Sequence, residues 1–172
     1  GKALASDIEN TNNKFGYLFP IENGNSRQLT HRGVGSLQFK AKTSGSSITS
    51  IRAAVLKWTG TIDSITTDVV SAWNGAGADP TLVADWAYAN VPSTLTVGNT
   101  IATFKIENID VSDVPNNVAV FIWSDDLVTT LGDFLYLGDI QLEVGPVCTA
   151  YEHRPRGYDL IVNQRYLQAL PT

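Results

Sequence analysis

Short apolar runs separated by turn signals constrain this chain more than any other feature. Leu37, Phe39 and Ala41 alternate with polar residues, which is the period-two pattern of a strand with one buried face. The runs 51–58 and 118–123 are apolar at nearly every position, so we expect two central strands covered on both faces. Turn-forming stretches lie between the runs, at residues 43–47, 74–77, 97–99 and 114–117. This spacing predicts an antiparallel β-sandwich or barrel.

Two further strands follow the same logic. Residues 102–106 alternate between apolar and polar side chains, and from Phe134 to Val144 the apolar residues share the even-numbered face. No helical period is visible between residues 15 and 144, so strands are expected throughout that stretch. The predicted fold class is all-β, an antiparallel β-sandwich of the jelly-roll type with about eight strands.

The C-terminal tail has a different pattern. From residue 158 to residue 170 the apolar side chains are spaced unlike those of a strand, with Gly157 before them and Pro171 after them. This pattern predicts a short C-terminal helix. We therefore expect an N-terminal extension or linker over residues 1–14, the jelly roll over 15–150, and an exit segment with its helix over 151–172.

The termini and charge indicate the setting of the domain. The chain has 172 residues, begins with Gly1 and contains no methionine, so it is a fragment, a processed chain or the ordered part of something larger, and we expect a fragment. Twelve basic residues against seventeen acidic ones give a net charge of −5, which disfavours nucleic acid and membrane partners. Cys148 is the sole cysteine, so no intrachain disulfide can form, and we expect a buried, unreactive thiol.

No motif of catalysis is present. His31 and His153 lie far apart in sequence, and no nucleophile elbow, phosphate loop or paired metal-ligand spacing occurs. Asp125 and Asp126 are adjacent, so on a strand they would point to opposite faces, and a solvated turn is the preferred interpretation. Asp139 could offer an oxygen to a structural calcium ion, but no multi-carboxylate loop accompanies it. We therefore predict a protein that is not an enzyme, with no cofactor and no metal.

Aromatic side chains give the candidate ligand site. Pyranose rings stack on exposed aromatic faces, and neighbouring Asp and Asn side chains bind the hydroxyl groups. The candidate sugar-binding residues are Trp73, Asp85, Trp86, Tyr88 and Asn90. The alternative is that these rings fill the core or a subunit interface, as we expect of Trp58 and Trp123, which lie in apolar strands.

A C-terminal motif carries a family resemblance. Residues 138–145 read Gly-Asp-Ile-Gln-Leu-Glu-Val-Gly, residues 149–157 read Thr-Ala-Tyr-Glu-His-Arg-Pro-Arg-Gly, and residues 164–166 read Gln-Arg-Tyr. This series resembles a signature of phage and prophage tail-fibre and minor structural proteins, where it closes a jelly roll similar to a carbohydrate-binding module. Residues 54–73 and 116–126 resemble the same group at lower density.

The match has departures. Ala150 and Tyr151 stand where the group usually has Pro-Phe, Asp159 stands in place of Glu, and Asn163 stands in place of Cys. These changes are mild.

The resemblance implies a structural and receptor-binding module of a tail fibre. Its expected location is the virion, extracellular when assembled, and its expected partners are two further copies in a homotrimer, adjacent fibre domains and a cell-surface glycan. The alternative is an auxiliary carbohydrate-binding module of a glycan-degrading enzyme. The residues expected to serve assembly and docking are Glu152, Arg154, Arg156, Leu160, Arg165, Tyr166 and Leu167.

Overall fold

The computed structural model describes residues 2–4, 14–66, 68–126 and 133–153. The regular structure in these ranges consists of antiparallel strands and one short helix, so the predicted all-β class is confirmed. Within these ranges no helix has the length and apolar character needed to cross a membrane. The predicted C-terminal helix lies outside the described residues.

The larger sheet has six strands. Its strands are β1 (Lys2–Leu4), β2 (Gly16–Ile21), β4 (Ser50–Trp58), β7 (Trp86–Tyr88), β8 (Leu95–Thr96) and β10 (Asn117–Ser124). They are hydrogen-bonded in the order β1-β2-β10-β4-β7, and β8 pairs with the start of β4. β1 belongs to the stretch predicted as an extension, and it pairs with β2.

The smaller sheets complete the fold. β3 (Val34–Thr43) lies between β9 (Ala102–Asp110) and β11 (Leu135–Val144), and β5 (Val70–Ala72) pairs with β6 (Thr81–Leu82). The three-stranded sheet packs one face against the larger sheet, with Leu37 and Phe39 of β3 meeting Val55 of β4 and Val120 of β10 in one core. These sheets are built from the period-two runs that the sequence shows.

The larger sheet is covered on both faces. Even-numbered residues of β10 join the core beneath the three-stranded sheet, and odd-numbered ones such as Phe121 and Trp123 join a second core. That second core is closed by side chains from residues 65–88, including Val69 and Trp86. The predicted central position of runs 51–58 and 118–123 is therefore confirmed.

A β-bulge changes the faces of β11. The pairing with β3 shifts between Gly138 and Gln141, and Asp139 adopts a positive φ of 48°. Leu135 is consequently buried, whereas Tyr136 faces solvent. The prediction of one apolar even-numbered face along the whole run was wrong, because one extra residue reverses the alternation.

The helix α1 (Asn23–Arg32) was also missed. It contains a single large apolar residue, Leu29, so it carries no apolar stripe that a period search could detect. It ends at Gly33, whose φ of 73° lets its N–H bond to the Leu29 carbonyl at 3.0 Å. The basic pair His31 and Arg32 followed by glycine was the available signal.

Candidate functional site: an outer groove and an exit clip

Trp86, the centre of the predicted sugar site, is buried. It is 6% exposed, and its ring lies 5.1 Å from that of Trp58. The indole N–H donates to Thr66 Oγ1 at 3.0 Å. A ring packed in this way has no free face for a sugar. Trp86 is therefore a core residue, which was the alternative to a sugar-binding role.

Tyr88 and Asn90 also have structural partners. The Tyr88 hydroxyl donates to the Pro80 carbonyl at 2.7 Å, and burial raises the pKa of this phenol. Asn90 Oδ1 accepts the Val55 N–H at 2.9 Å, so the side chain continues the ladder at the edge of β4. Both side chains therefore hold the β7 segment against the larger sheet.

Trp73 and Asp85, the other two predicted sugar-binding residues, do not form an exposed aromatic site. Trp73 is half-buried, with its ring 6.2 Å from that of Phe121. Asp85 is exposed, has a φ of 70°, and its carbonyl accepts the Thr59 N–H at 2.9 Å. The five residues do not form an open aromatic platform. As predicted, Trp58 and Trp123 are buried in the core.

A buried ionic cluster lies at one end of the larger sheet, and it overturns the solvated-turn interpretation of Asp125. This carboxylate is 3% exposed, with Arg52 Nε at 3.1 Å and Lys14 Nζ at 3.7 Å. Arg52 also contacts Asp79 at 2.7 Å. Thr94 Oγ1 donates to Asp125 Oδ2 at 2.8 Å.

The cluster is a structural clamp. Lys14 Nζ donates to the Gly75 carbonyl at 2.8 Å, and the Gly77 N–H donates to Asp125 at 3.0 Å, so the loop 74–79 is held down. Burial opposes the ionisation of Asp125, but hydrogen bonds from Thr94 and Arg52 outweigh it and hold the pKa of this carboxyl below its usual range. Burial also lowers the pKa of Lys14. Each charged side chain of the cluster therefore has a partner of opposite charge.

Asp126 is a backbone cap. Its Oδ2 accepts the N–H groups of Thr49 and Ser50, each at 2.7 Å. Burial disfavours its charge, but the bonds from Thr49 and Ser50 lower the pKa of this carboxyl. The adjacent acids therefore bind two different loops.

Cys148 is buried, as predicted, at 7% exposure. Burial raises the pKa of its thiol, and Sγ lies 3.4 Å from the Leu37 carbonyl. Asp139 pairs with Lys40 at 2.7 Å. Among the described residues no group of three or more His, Cys, Asp or Glu side chains is placed to hold a metal ion.

The motif residues form a hydrogen-bonded exit clip, which we define as Gln141, Glu143, Thr149 and Glu152. The Glu143 carboxylate accepts the Thr149 N–H and the Thr149 hydroxyl, both at 2.7 Å. Gln141 Oε1 accepts the Glu152 N–H at 2.9 Å. Gly145 makes the intervening turn with a φ of 126°. The clip folds the chain back along β11 and sets the direction in which it leaves the sheet.

Residues 149–152 lie against part of the outer face of the three-stranded sheet. Gln38 Nε2 donates to the Thr149 carbonyl at 2.8 Å, and Gln38 is only 5% exposed. The part of the face around Lys42 contains a cavity of about 270 Å³. We call this cavity the outer groove; its lining residues are Lys40, Ala41, Lys42, Ile101, Tyr136, Leu137, Gly138 and Asp139.

Of the residues predicted for assembly and docking, Glu152 is described and exposed. Its backbone N–H takes part in the exit clip. The remaining six lie outside the described residues; they are Arg154, Arg156, Leu160, Arg165, Tyr166 and Leu167.

Comparisons with known proteins add no relative. A scan against protein-family models, a search of curated proteins and a search of solved structures each return no match.

Proposed function

We propose that this chain is a non-enzymatic structural and receptor-binding module of a phage tail fibre, with a sandwich of the jelly-roll type. In this proposal it forms a homotrimer, joins adjacent fibre domains and contacts a cell-surface glycan on the host.

The exit clip is the observation that carries the proposal. In a fibre, the chain must leave each domain in a defined direction to enter the next one. Gln141 and Glu143 accept the hydrogen bonds that fix the chain after β11. These two residues belong to the motif that resembles the tail-fibre signature, and the clip gives their spacing a physical reason. Two side chains on one face of β11 reach backbone N–H groups 6 and 11 residues further on.

The first test is the mass of the chain in solution, by light scattering at micromolar concentration. We expect a trimer. Glu143→Ala removes both acceptors for Thr149, so the variant is expected to dissociate at concentrations where the unmodified chain remains trimeric. Asp113→Ala, which removes an exposed carboxylate elsewhere, is the control and should leave the mass unchanged. A monomer at every concentration would overturn the trimer.

The attachment part has its own test. A fluorescently labelled chain is mixed with a panel of bacteria that carry different surface polysaccharides. We expect binding to some strains and loss of that binding after periodate treatment, which destroys vicinal diols of sugars. Binding that survives periodate would point to a protein receptor and overturn the glycan part. No binding to any strain would overturn attachment.

The second candidate is an auxiliary carbohydrate-binding module of a glycan-degrading enzyme. Tyr136, an exposed ring in the lining of the outer groove, favours this candidate, because such a module requires an aromatic surface for a sugar. The mass separates the two candidates, since such a module is expected to be monomeric.

A further inference from the structure

We propose that the outer groove, together with the neighbouring Phe134, binds a saccharide that carries a carboxylate. Phe134 and Tyr136 contact the sugar ring, and Lys42 binds the carboxylate. This inference rests on the proposed attachment role and names the ligand class and the site, which differs from the ring cluster around Trp86.

Two exposed aromatic rings lie at the edge of the outer face of the three-stranded sheet. Phe134 is 59% exposed and Tyr136 is 48% exposed, with ring centroids 6.4 Å apart and planes inclined by 48°. Ile101, at 61% exposure, adds apolar surface to the groove. Large apolar side chains gathered at one place on a surface mark a contact site. The apolar C–H face of a pyranose fits such rings.

The register places a cation beside the ring. Tyr136 and Lys42 are directly opposed on β11 and β3, and Lys42 Nζ lies 5.1 Å from the centre of the Tyr136 ring. Lys40 opposes Gly138 on the same face. A carboxylate bound by Lys42 would therefore have its sugar ring at the aromatic edge.

The charge of the outer groove favours an anion, although the whole chain is acidic. Its lining contains two lysines, Lys40 and Lys42, and one acid, Asp139. Asp139 is paired with Lys40 at 2.7 Å, and Lys42 has no ion-pair partner among the described residues. One ammonium group of the groove therefore remains to attract a carboxylate.

The shape suits one sugar ring. A Cβ added at Gly138 would meet nothing within 4 Å, so the floor of the groove is open. The cavity of about 270 Å³ is smaller than pockets for drug-sized ligands. The bulge at Asp139 turns that side chain towards Lys40 at the rim. A polymer could place one residue here and continue along the face.

Isothermal titration calorimetry of the 172-residue chain tests the inference. The probes are three uronate polymers (polygalacturonate, alginate and hyaluronate) and neutral dextran. We expect binding to at least one uronate polymer, weakened by added salt, and no binding to dextran. Tyr136→Ala and Lys42→Ala should each weaken the binding by about tenfold, the loss that follows from one charged or aromatic contact.

Matched controls lie on other surfaces. Arg27→Ala removes one exposed positive charge from α1, and Val91→Ala trims a residue that is 92% exposed beyond β7. Both should bind as the unmodified chain does. Thermal unfolding verifies that each variant is folded, which we expect because all four side chains are at least partly exposed.

The outcomes separate this inference from the proposed function. Failure of all three uronate polymers to bind, or equal losses in the test and control variants, would overturn the groove. If labelled chain still bound cells, the attachment role would stand without it. Salt-insensitive binding of dextran would overturn the acidic ligand class. Failure of both the cell and the uronate experiments would overturn both proposals.

Discussion

Glu143 and Thr149 close the turn after the last strand through two hydrogen bonds of 2.7 Å, one from the backbone N–H and one from the hydroxyl. The Glu143 carboxylate accepts both bonds, and Gln38 and Gln141 hold the same stretch of chain through the Thr149 carbonyl and the Glu152 N–H. The turn between the two partners includes Gly145, whose φ of 126° favours glycine. The motif residues therefore specify the conformation of this turn.

The exit clip should loosen in acid. Burial opposes the ionisation of Glu143, but the bonds from Thr149 outweigh it, and the pKa of this carboxyl is lower than usual. A lowered folded pKa gives stabilisation that is present above the unfolded pKa, about 4.3, and lost as the pH falls through the folded pKa. Hydrogen exchange at the Thr149 amide, corrected for the intrinsic rate, should lose protection over that range. In the Glu143→Gln variant, protection of this amide should not depend on pH over the same range. The prediction is contradicted if the variant loses protection in acid as the unmodified chain does.

Removing Asp125 should cost far more than removing a surface acid. Asp125→Ala leaves the buried Lys14 without its ion-pair partner and leaves the half-buried Arg52 with Asp79 alone, so the free energy of unfolding should fall by about 3–5 kcal/mol. Asp113→Ala removes the exposed partner of Lys57 and should cost about 1 kcal/mol or less. Urea unfolding measures both. Similar losses in the two variants would show that the cluster is not a clamp.

Trp86 should matter to stability, whereas Tyr136 should not. Trp86→Ala empties a site packed against Trp58 and should lower the free energy of unfolding by about 3–5 kcal/mol. Tyr136→Ala changes a half-exposed ring, so its unfolding midpoint should stay close to that of the unmodified chain. Denaturant unfolding of both variants checks this. A stable Trp86→Ala protein that lost only ligand binding would restore the original ring site.

Val114 holds a conformation that a β-branched residue disfavours. Its φ is 49° and its side chain is 56% exposed. Asparagine tolerates the left-handed region, so Val114→Asn should stabilise the protein by about 1 kcal/mol. Val91→Asn is the control, since that valine is exposed and its φ is not positive; it should bring no gain. Thermal unfolding measures the stability of both variants. An equal gain in stability in both would show that backbone strain at Val114 is not the cause.

The Cys148 thiol should react only when the protein unfolds. Burial raises its pKa and limits access to Sγ. With Ellman's reagent at pH 8, we expect slow labelling of the native chain and rapid labelling in guanidinium chloride. Rapid labelling of the native chain would contradict this, because it would show that reagent reaches Sγ without unfolding.

The all-β class was predictable because strand periodicity is local. The runs 51–58 and 118–123 are apolar on both alternations, so they had to be covered on both faces, and β4 and β10 are. The burial of Trp58 and Trp123 followed from those runs. The helix α1 was missed because Leu29 alone does not make a stripe, and the reversal in β11 was missed because a bulge leaves no period of its own.

The candidate sugar site depended on information that the sequence lacks. A tryptophan beside a turn can face solvent or core, and Trp86 faces the core because residues 65–88 fold over the larger sheet. The outer groove needs Lys42 and Tyr136, which are 94 positions apart by their residue numbers and become neighbours only through strand pairing.

The sequence by itself determined the strand-rich class, the two central strands and the buried thiol, because each depends on alternation or composition within a few residues. The tertiary structure alone decided that Asp125 meets Lys14 and Arg52, that Trp86 is buried, and that the exposed rings lie beside Lys42. These facts depend on sheet order and register, and they arise from contacts between segments that share no local pattern.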